Sequence, residues 1–230
     1  MGLGMSQDIN LSKNLREIRE YTEKNIELKK SHHFLFNLPL EANAQIADVI
    51  VIGLNPGEHA SDWKLHNHPT EETNEFDFHN EFGNGRASLA WSKNCNNFLP
   101  NQKIYLSEFF FWSSNSTRKK DFEDRFGYSF EDCPHLDFCK KCNLDMISFH
   151  KPKLVVAAGI TYAEFFSSKY NLNHVKTINS QTDKNNRRII SHYELEGVPF
   201  IFTLHWSGAF GVSNLMKDEI KSYLSQFIQT

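Results

Sequence analysis

Three polar residues stand where runs of apolar β-formers stop, and their types suit one kind of chemistry. Asn55 follows Val49-Ile50-Val51-Ile52-Gly53-Leu54, Glu108 interrupts the run Lys103 to Trp112 near its end, and His205 follows Phe200-Ile201-Phe202-Thr203-Leu204. A strand buried on both faces needs none of these side chains for packing. An amide can position a water molecule, and an imidazole can donate a hydrogen bond to an oxygen that gains negative charge. A carboxylate inside a buried run must be paired, bound to a ligand or shifted in pKa. A further run, Leu154 to Ala158, ends at Gly159. If these runs are parallel strands, their ends share one edge of a sheet, where open α/β sheets bind ligands.

The turn after the first run is equally specific. Pro56 and Gly57 suit the two central positions of a type II turn, proline fixing the first φ and glycine supplying the positive second one. In the polar stretch that follows, Phe76, Phe78 and Phe82 either anchor the loop or form a stacking wall for a ligand.

A second group lies in Cys133-Pro134-His135-Leu136-Asp137-Phe138-Cys139-Lys140-Lys141-Cys142. Cys133, His135, Cys139 and Cys142 are donors of the kind that hold zinc. With Cys95 brought near, a four-cysteine iron–sulfur site is the other metal reading. Only Cys139 and Cys142 make the usual spaced pair, so reduced structural cysteines are the alternative. His59, His66, His68 and His79 match no metal signature and read as solvated loop residues.

The elements that would position these groups follow from the pattern. Strands are expected over residues 47–54, 103–112 and 153–159. A hairpin around Glu196-Gly197 joins Arg188–Tyr193 to Val198–His205, the fourth parallel strand. A helix runs from Ser12 to about Lys30, another from Arg86 to Asn97, and Thr161 with Glu164 reads as a capping box opening a third. Ser213 caps the final helix, with Leu215, Ile220, Leu224 and Phe227 turned inward. Asn171 to Asn186 reads as polar loop. The fold class is therefore α/β, a three-layer α/β/α sandwich around a central four-stranded parallel sheet. Residues 1–46 form a helical extension packed on a domain of residues 47–230.

Composition narrows the partners. The chain has 230 residues, a formal net charge of −3 and 20 phenylalanines, enough for one substantial core but without a blanket basic surface. Four cysteines without a secretion signal predict a reducing compartment, cytoplasmic or nuclear, not secretion. No apolar run approaches a membrane span, so no membrane partner is expected.

The ordered motifs carry a family resemblance. Gly53-Leu54-Asn55-Pro56-Gly57 resembles the first motif of the uracil-DNA glycosylase superfamily, in the form found in its mismatch-specific and single-strand-selective branches. Leu204-His205-Trp206-Ser207-Gly208-Ala209 is similar to the second motif, a His-Pro-Ser followed by a DNA-inserting loop. Lys151 to Gly159 is similar to the family's third strand. The likeness spans about residues 47–214.

The resemblance implies a uracil-DNA glycosylase-like fold and a DNA N-glycosylase of base-excision repair. Such an enzyme acts as a monomer and requires no cofactor. It flips uracil or another deaminated or modified base out of the helix and hydrolyses its N-glycosidic bond. Asn55 would orient water, and His205 would hydrogen-bond the departing base. Gly53, Leu54, Pro56, Gly57 and Ser207 would line the base site, with Phe78 or Phe82 stacking on the base. Trp206, Gly208, Ala209 and Phe210 would contact DNA. Glu108 stands about where the uracil enzymes carry an Asn that reads the base edge. An ionised carboxylate only accepts hydrogen bonds, so Glu108 points away from a bare carbonyl edge unless it is protonated. Trp206 replaces the expected proline. These two departures define the alternative, a catalytically inactive module of the same fold that binds nucleic acid or a modified nucleotide. A small-molecule hydrolase is disfavoured because the chain has no Gly-x-Ser-x-Gly elbow.

Overall fold

The computed structural model describes residues 17–18, 20–30, 46–55, 94–114, 119–206 and 211–228. At its centre is a six-stranded sheet in the order β2-β1-β3-β6-β5-β4. The strands are β1 (Val49–Gly53), β2 (Ile104–Glu108), β3 (Leu154–Ala158), β4 (Asn173–Asn179), β5 (Arg188–Leu195) and β6 (Val198–Thr203). β1 pairs in parallel with β2 and β3, and β3 with β6. β5 and β4 extend the sheet by antiparallel pairing.

The apolar runs explain the parallel half. Every residue of β1 and β3 is buried, as expected of strands covered on both faces. Alternate side chains enter two cores. Ile50 and Ile52 join a cluster with Ile18, Leu28, Phe122, Met146 and Phe166, while Val49 and Val51 join one with Cys95, Phe98, Met216, Ile220 and Leu224. The first core is covered by helices α1 (Lys119–Phe126), α2 (Leu136–His150) and α3 (Ala163–Tyr170). The second is covered by the helical segment 94–98 and by α4 (Asn214–Ile228).

The N-terminal residues share the first core. The segment 20–24 is helical and is followed by a 3-10 turn, Ile26–Lys30. Ile18 and Leu28 are fully buried, Tyr21 stacks on Phe138, and the Trp112 indole donates to Thr22 Oγ1 at 3.0 Å.

The structure corrects the expected four-stranded parallel sheet in two places. The hairpin arm β5 is a full member of the sheet, with Glu196 and Gly197 at positive φ (50° and 84°) as a type I′ turn demands. The second correction is β4, which falls inside the stretch read as polar loop. Its burial pattern is exposed at every position but one, so backbone pairing with β5 holds it rather than apolar burial. A strand without a buried face leaves no alternation to read.

Smaller differences have local causes. Ser213 caps α4, accepting from the Met216 N–H at 3.2 Å, but Met216 rather than Leu215 turns inward. Leu215 is 60% exposed. The expected capping box does not form, because a 3-10 turn (Ile160–Tyr162) precedes α3 and the Glu164 carboxylate pairs with Arg188 instead.

Candidate active site at the carboxyl edge of the sheet

The parallel strands bring their carboxyl ends to one edge. Gly53 stands opposite Glu108 on β2, and Ala158 stands opposite Thr203 on β6. Asn55 lies two residues past Gly53, and His205 two past Thr203. β3 separates β1 from β6, so the two backbones lie about 10 Å apart here, twice the usual strand spacing. The strand order also turns at this point: the chain steps from β1 outward to β2, then crosses back to β3 on the other side. Such a switch point opens a crevice in α/β sheets. Leu54 packs over Gly159, where a Cβ would come within 3.0 Å of the Leu54 side chain.

Asn55 is half-buried and is held from the side. Its Nδ2 donates to Ser114 Oγ at 2.8 Å, and Ser114 is 3% exposed. The chain reaches this position because it stays against β1 after β2 ends. Phe109 and Phe110 donate their backbone N–H groups to the carbonyls of Gly53 and Leu54 at 2.9 and 3.0 Å. Ser114 falls in a polar stretch that carries no pattern, which is why sequence reasoning missed it.

Glu108 is the unusual group. Its carboxyl lies over Gly53, with Cδ 2.8 Å from where a Cβ on that glycine would stand. The residue keeps some exposed surface, yet Oε2 is shut away from solvent and has no hydrogen-bond partner among the described residues. Burial pushes the carboxyl pKa up to about 8. The buried Cys95 thiol faces it from the opposing helical segment and is itself pushed up to about 12, by burial first and by the Glu108 charge second. The backbone of Glu108 is fixed by a second residue that sequence reasoning missed. Asn143 on α2 donates to the Glu108 carbonyl at 2.9 Å and to the Tyr170 hydroxyl at 3.1 Å, and accepts from Ser107 Oγ at 2.6 Å.

His205 is half-buried, and burial lowers its pKa below the usual histidine value, which keeps the imidazole neutral at pH 7. Trp206 is placed differently from its expected role. It is 1% exposed and stacks on Phe98 at 4.5 Å, and its indole N–H donates to Thr203 Oγ1 at 3.0 Å. A side chain so enclosed has no surface to offer DNA. Its size and apolar character favour the core over the loop. Pro56, Gly57, Phe78, Phe82, Ser207, Gly208, Ala209 and Phe210 lie outside the described residues.

Among the described residues the cysteine group does not come together as a metal site. Cys133, Cys139 and Cys142 are buried free thiols in the first core, whereas Cys95 lies in the second core across the sheet, which rules out a four-cysteine cluster. Burial pushes the Cys133 and Cys142 thiols up to about 11 and about 12, and Cys139 well above its ordinary value. Nδ1 of His135 lies 3.0 Å from the Tyr21 hydroxyl, and its Nε2 lies 3.1 Å from the Glu27 carboxylate without hydrogen-bond geometry. Among the described residues, no three His, Cys, Asp or Glu side chains converge as metal ligands. No described helix is long and apolar enough to cross a membrane.

No protein-family model matches the chain, and no curated protein matches it significantly.

Proposed function

We propose that the chain is a DNA glycosylase that hydrolyses the N-glycosidic bond of uracil or another deaminated or modified base. The observation that carries this reading is the placement of Asn55 and His205 just past the ends of the two strands that flank β3, with Glu108 on β2 opposite Gly53 of β1. A separation of about 10 Å between those backbones leaves room for one planar base between the side chains.

The chemistry follows from the groups. Cleavage of an N-glycosidic bond passes through an oxocarbenium-like sugar and an anionic leaving base. No strong nucleophile is needed. Asn55, steadied by Ser114, orients the attacking water. His205, neutral because it is desolvated, donates a hydrogen bond as charge builds on the base oxygen. The expected DNA-contacting role falls to Gly208, Ala209 and Phe210, since Trp206 belongs to the core.

The test is abasic-site formation. Single- and double-stranded oligonucleotides carrying uracil, hypoxanthine or a G·T mismatch are incubated with the protein, and abasic product is scored. Product that disappears with Asn55→Ala supports the enzyme. Tight binding with no product from any substrate replaces it with the binding module.

A further inference from the structure

Glu108 has a feature that the glycosylase reading does not by itself explain. A buried oxygen without a partner is costly, and a native fold keeps one where something supplies the missing bond. Oε2 of Glu108 stands over a residue with no side chain, Gly53, beside the strand that carries Asn55. The fold also invests in holding it there, since the buried amide of Asn143 spends a hydrogen bond on the Glu108 carbonyl.

Among the described residues, no cation neutralises this carboxyl. From β1 it is faced by Gly53, which carries no charge, and from the helical segment 94–98 by the Cys95 thiol. A carboxylate in such surroundings takes up a proton, and burial alone places that change at about pH 8. A neutral carboxyl differs from an amide in one respect. An amide has its donor and acceptor fixed on different atoms, whereas a carboxyl proton can sit on either oxygen. The group can meet a donor–acceptor pair in either order without rotating.

We infer that Glu108 reads the bound base as a protonated acid, so the crevice takes bases whose edge carries a hydrogen-bond donor beside an acceptor in either order. Both the N–H/C=O edge of uracil or hypoxanthine and the N/NH₂ edge of cytosine or adenine qualify. The inference rests on the reading that this crevice binds a base. Ionised Glu108 keeps only acceptors, and either edge then faces it with a repelled lone pair. Recognition is therefore lost as pH rises through about 8.

The test uses binding, so that it stands apart from cleavage. Single-stranded oligonucleotides carry one non-cleavable 2′-fluoroarabino nucleotide, either uracil or cytosine, and an abasic analogue serves as control. At pH about 7 both bases should bind roughly ten-fold or more tighter than the control, and within about ten-fold of each other. The gain should vanish as pH rises past about 8 in the wild type, and Glu108→Gln should bind uracil without that step. Binding that is flat with pH, a preference of about a hundred-fold for one base, or no gain over the abasic control overturns the inference. A parallel cleavage assay separates the two readings. Cleavage with pH-independent binding keeps the glycosylase and removes the role of Glu108. A pH step in binding without cleavage does the reverse.

Discussion

The carboxyl group of Glu108 occupies the space in which a side chain on Gly53 would begin. The two residues are direct partners across β1 and β2, so the fit is built into the strand register. Gly53→Ala must push that carboxyl aside. The obstacle is the far end of a flexible side chain, so the variant should fold. Its Glu108 should gain water and return toward the ordinary carboxylate range. An infrared titration of the carboxyl C=O band checks this. Wild type should lose a protonated-carboxyl band near pH 8 that Glu108→Gln lacks, and Gly53→Ala should lose it at lower pH.

Stability should carry the same signature. The folded pKa of Glu108 is raised to about 8 from 4.5, so the unfolded chain releases its proton first as pH rises. This group's contribution is most favourable below pH 4.5, declines between 4.5 and about 8, and is constant above. Glu108→Gln removes the decline. The variant should gain ~1–3 kcal/mol over wild type at pH about 9 and nothing at pH about 4.5, as read from paired urea unfolding curves.

Asn55 and His205 should separate from Ser114 by the size of their effects. Replacing His205 with Asn should lower kcat by roughly 10²–10³, the usual loss when a donor to a developing anion is removed or misplaced. Ser114→Ala removes a bond worth about 1 kcal/mol and should lower kcat by roughly five-fold with KM little changed. A larger change in KM than in kcat would show that Ser114 shapes binding instead of holding the amide.

The four cysteines should behave as core residues. All are buried, between 0% and 3% exposed, and burial raises each thiol pKa. None should react with a thiol reagent at pH about 7.5 in the native protein, and all should react once it is unfolded. Treatment with a chelator should leave Tm unchanged. A fall in Tm on chelation would reinstate a metal at the cysteines.

Trp206→Ala tests the second core. Removing an indole stacked on Phe98 should cost about 3–5 kcal/mol. Trp206→Phe keeps the stack but loses the bond to Thr203, and should cost less. A mild Trp206→Ala would contradict the packing.

The legible part of this molecule is the part that burial writes into composition. β1, β3 and β6 are runs of apolar residues because both their faces are covered, and the residues that follow them stand out for the same reason. Glu108 was conspicuous as a charge in such a run. What it touches was not legible, because Gly53 and Cys95 approach it through strand register and helix placement. Trp206 misled because its neighbours in sequence suggest a loop, whereas its stacking partner Phe98 lies more than a hundred positions away. Asn143 and Ser114 were silent for a related reason. A polar residue on a helix or in a loop reads as surface until the fold encloses it. β4 shows the complement, a strand with no apolar face for periodicity to detect.

That last strand has a consequence for the protein in solution. β4 closes one side of the sheet with seven residues exposed on nearly every side chain. A regular strand in this position is a template for pairing with another molecule. Two features spoil the template. Its register slips between His174 and Lys176, and Lys176 reaches in over the Tyr223 ring, 4.8 Å from its centre. An irregular ladder and an inward-bent lysine are the devices by which sheet proteins avoid sticking edge to edge. Replacing Lys176 with a β-branched apolar residue would straighten the margin of the sheet and open it to pairing with another copy of the chain.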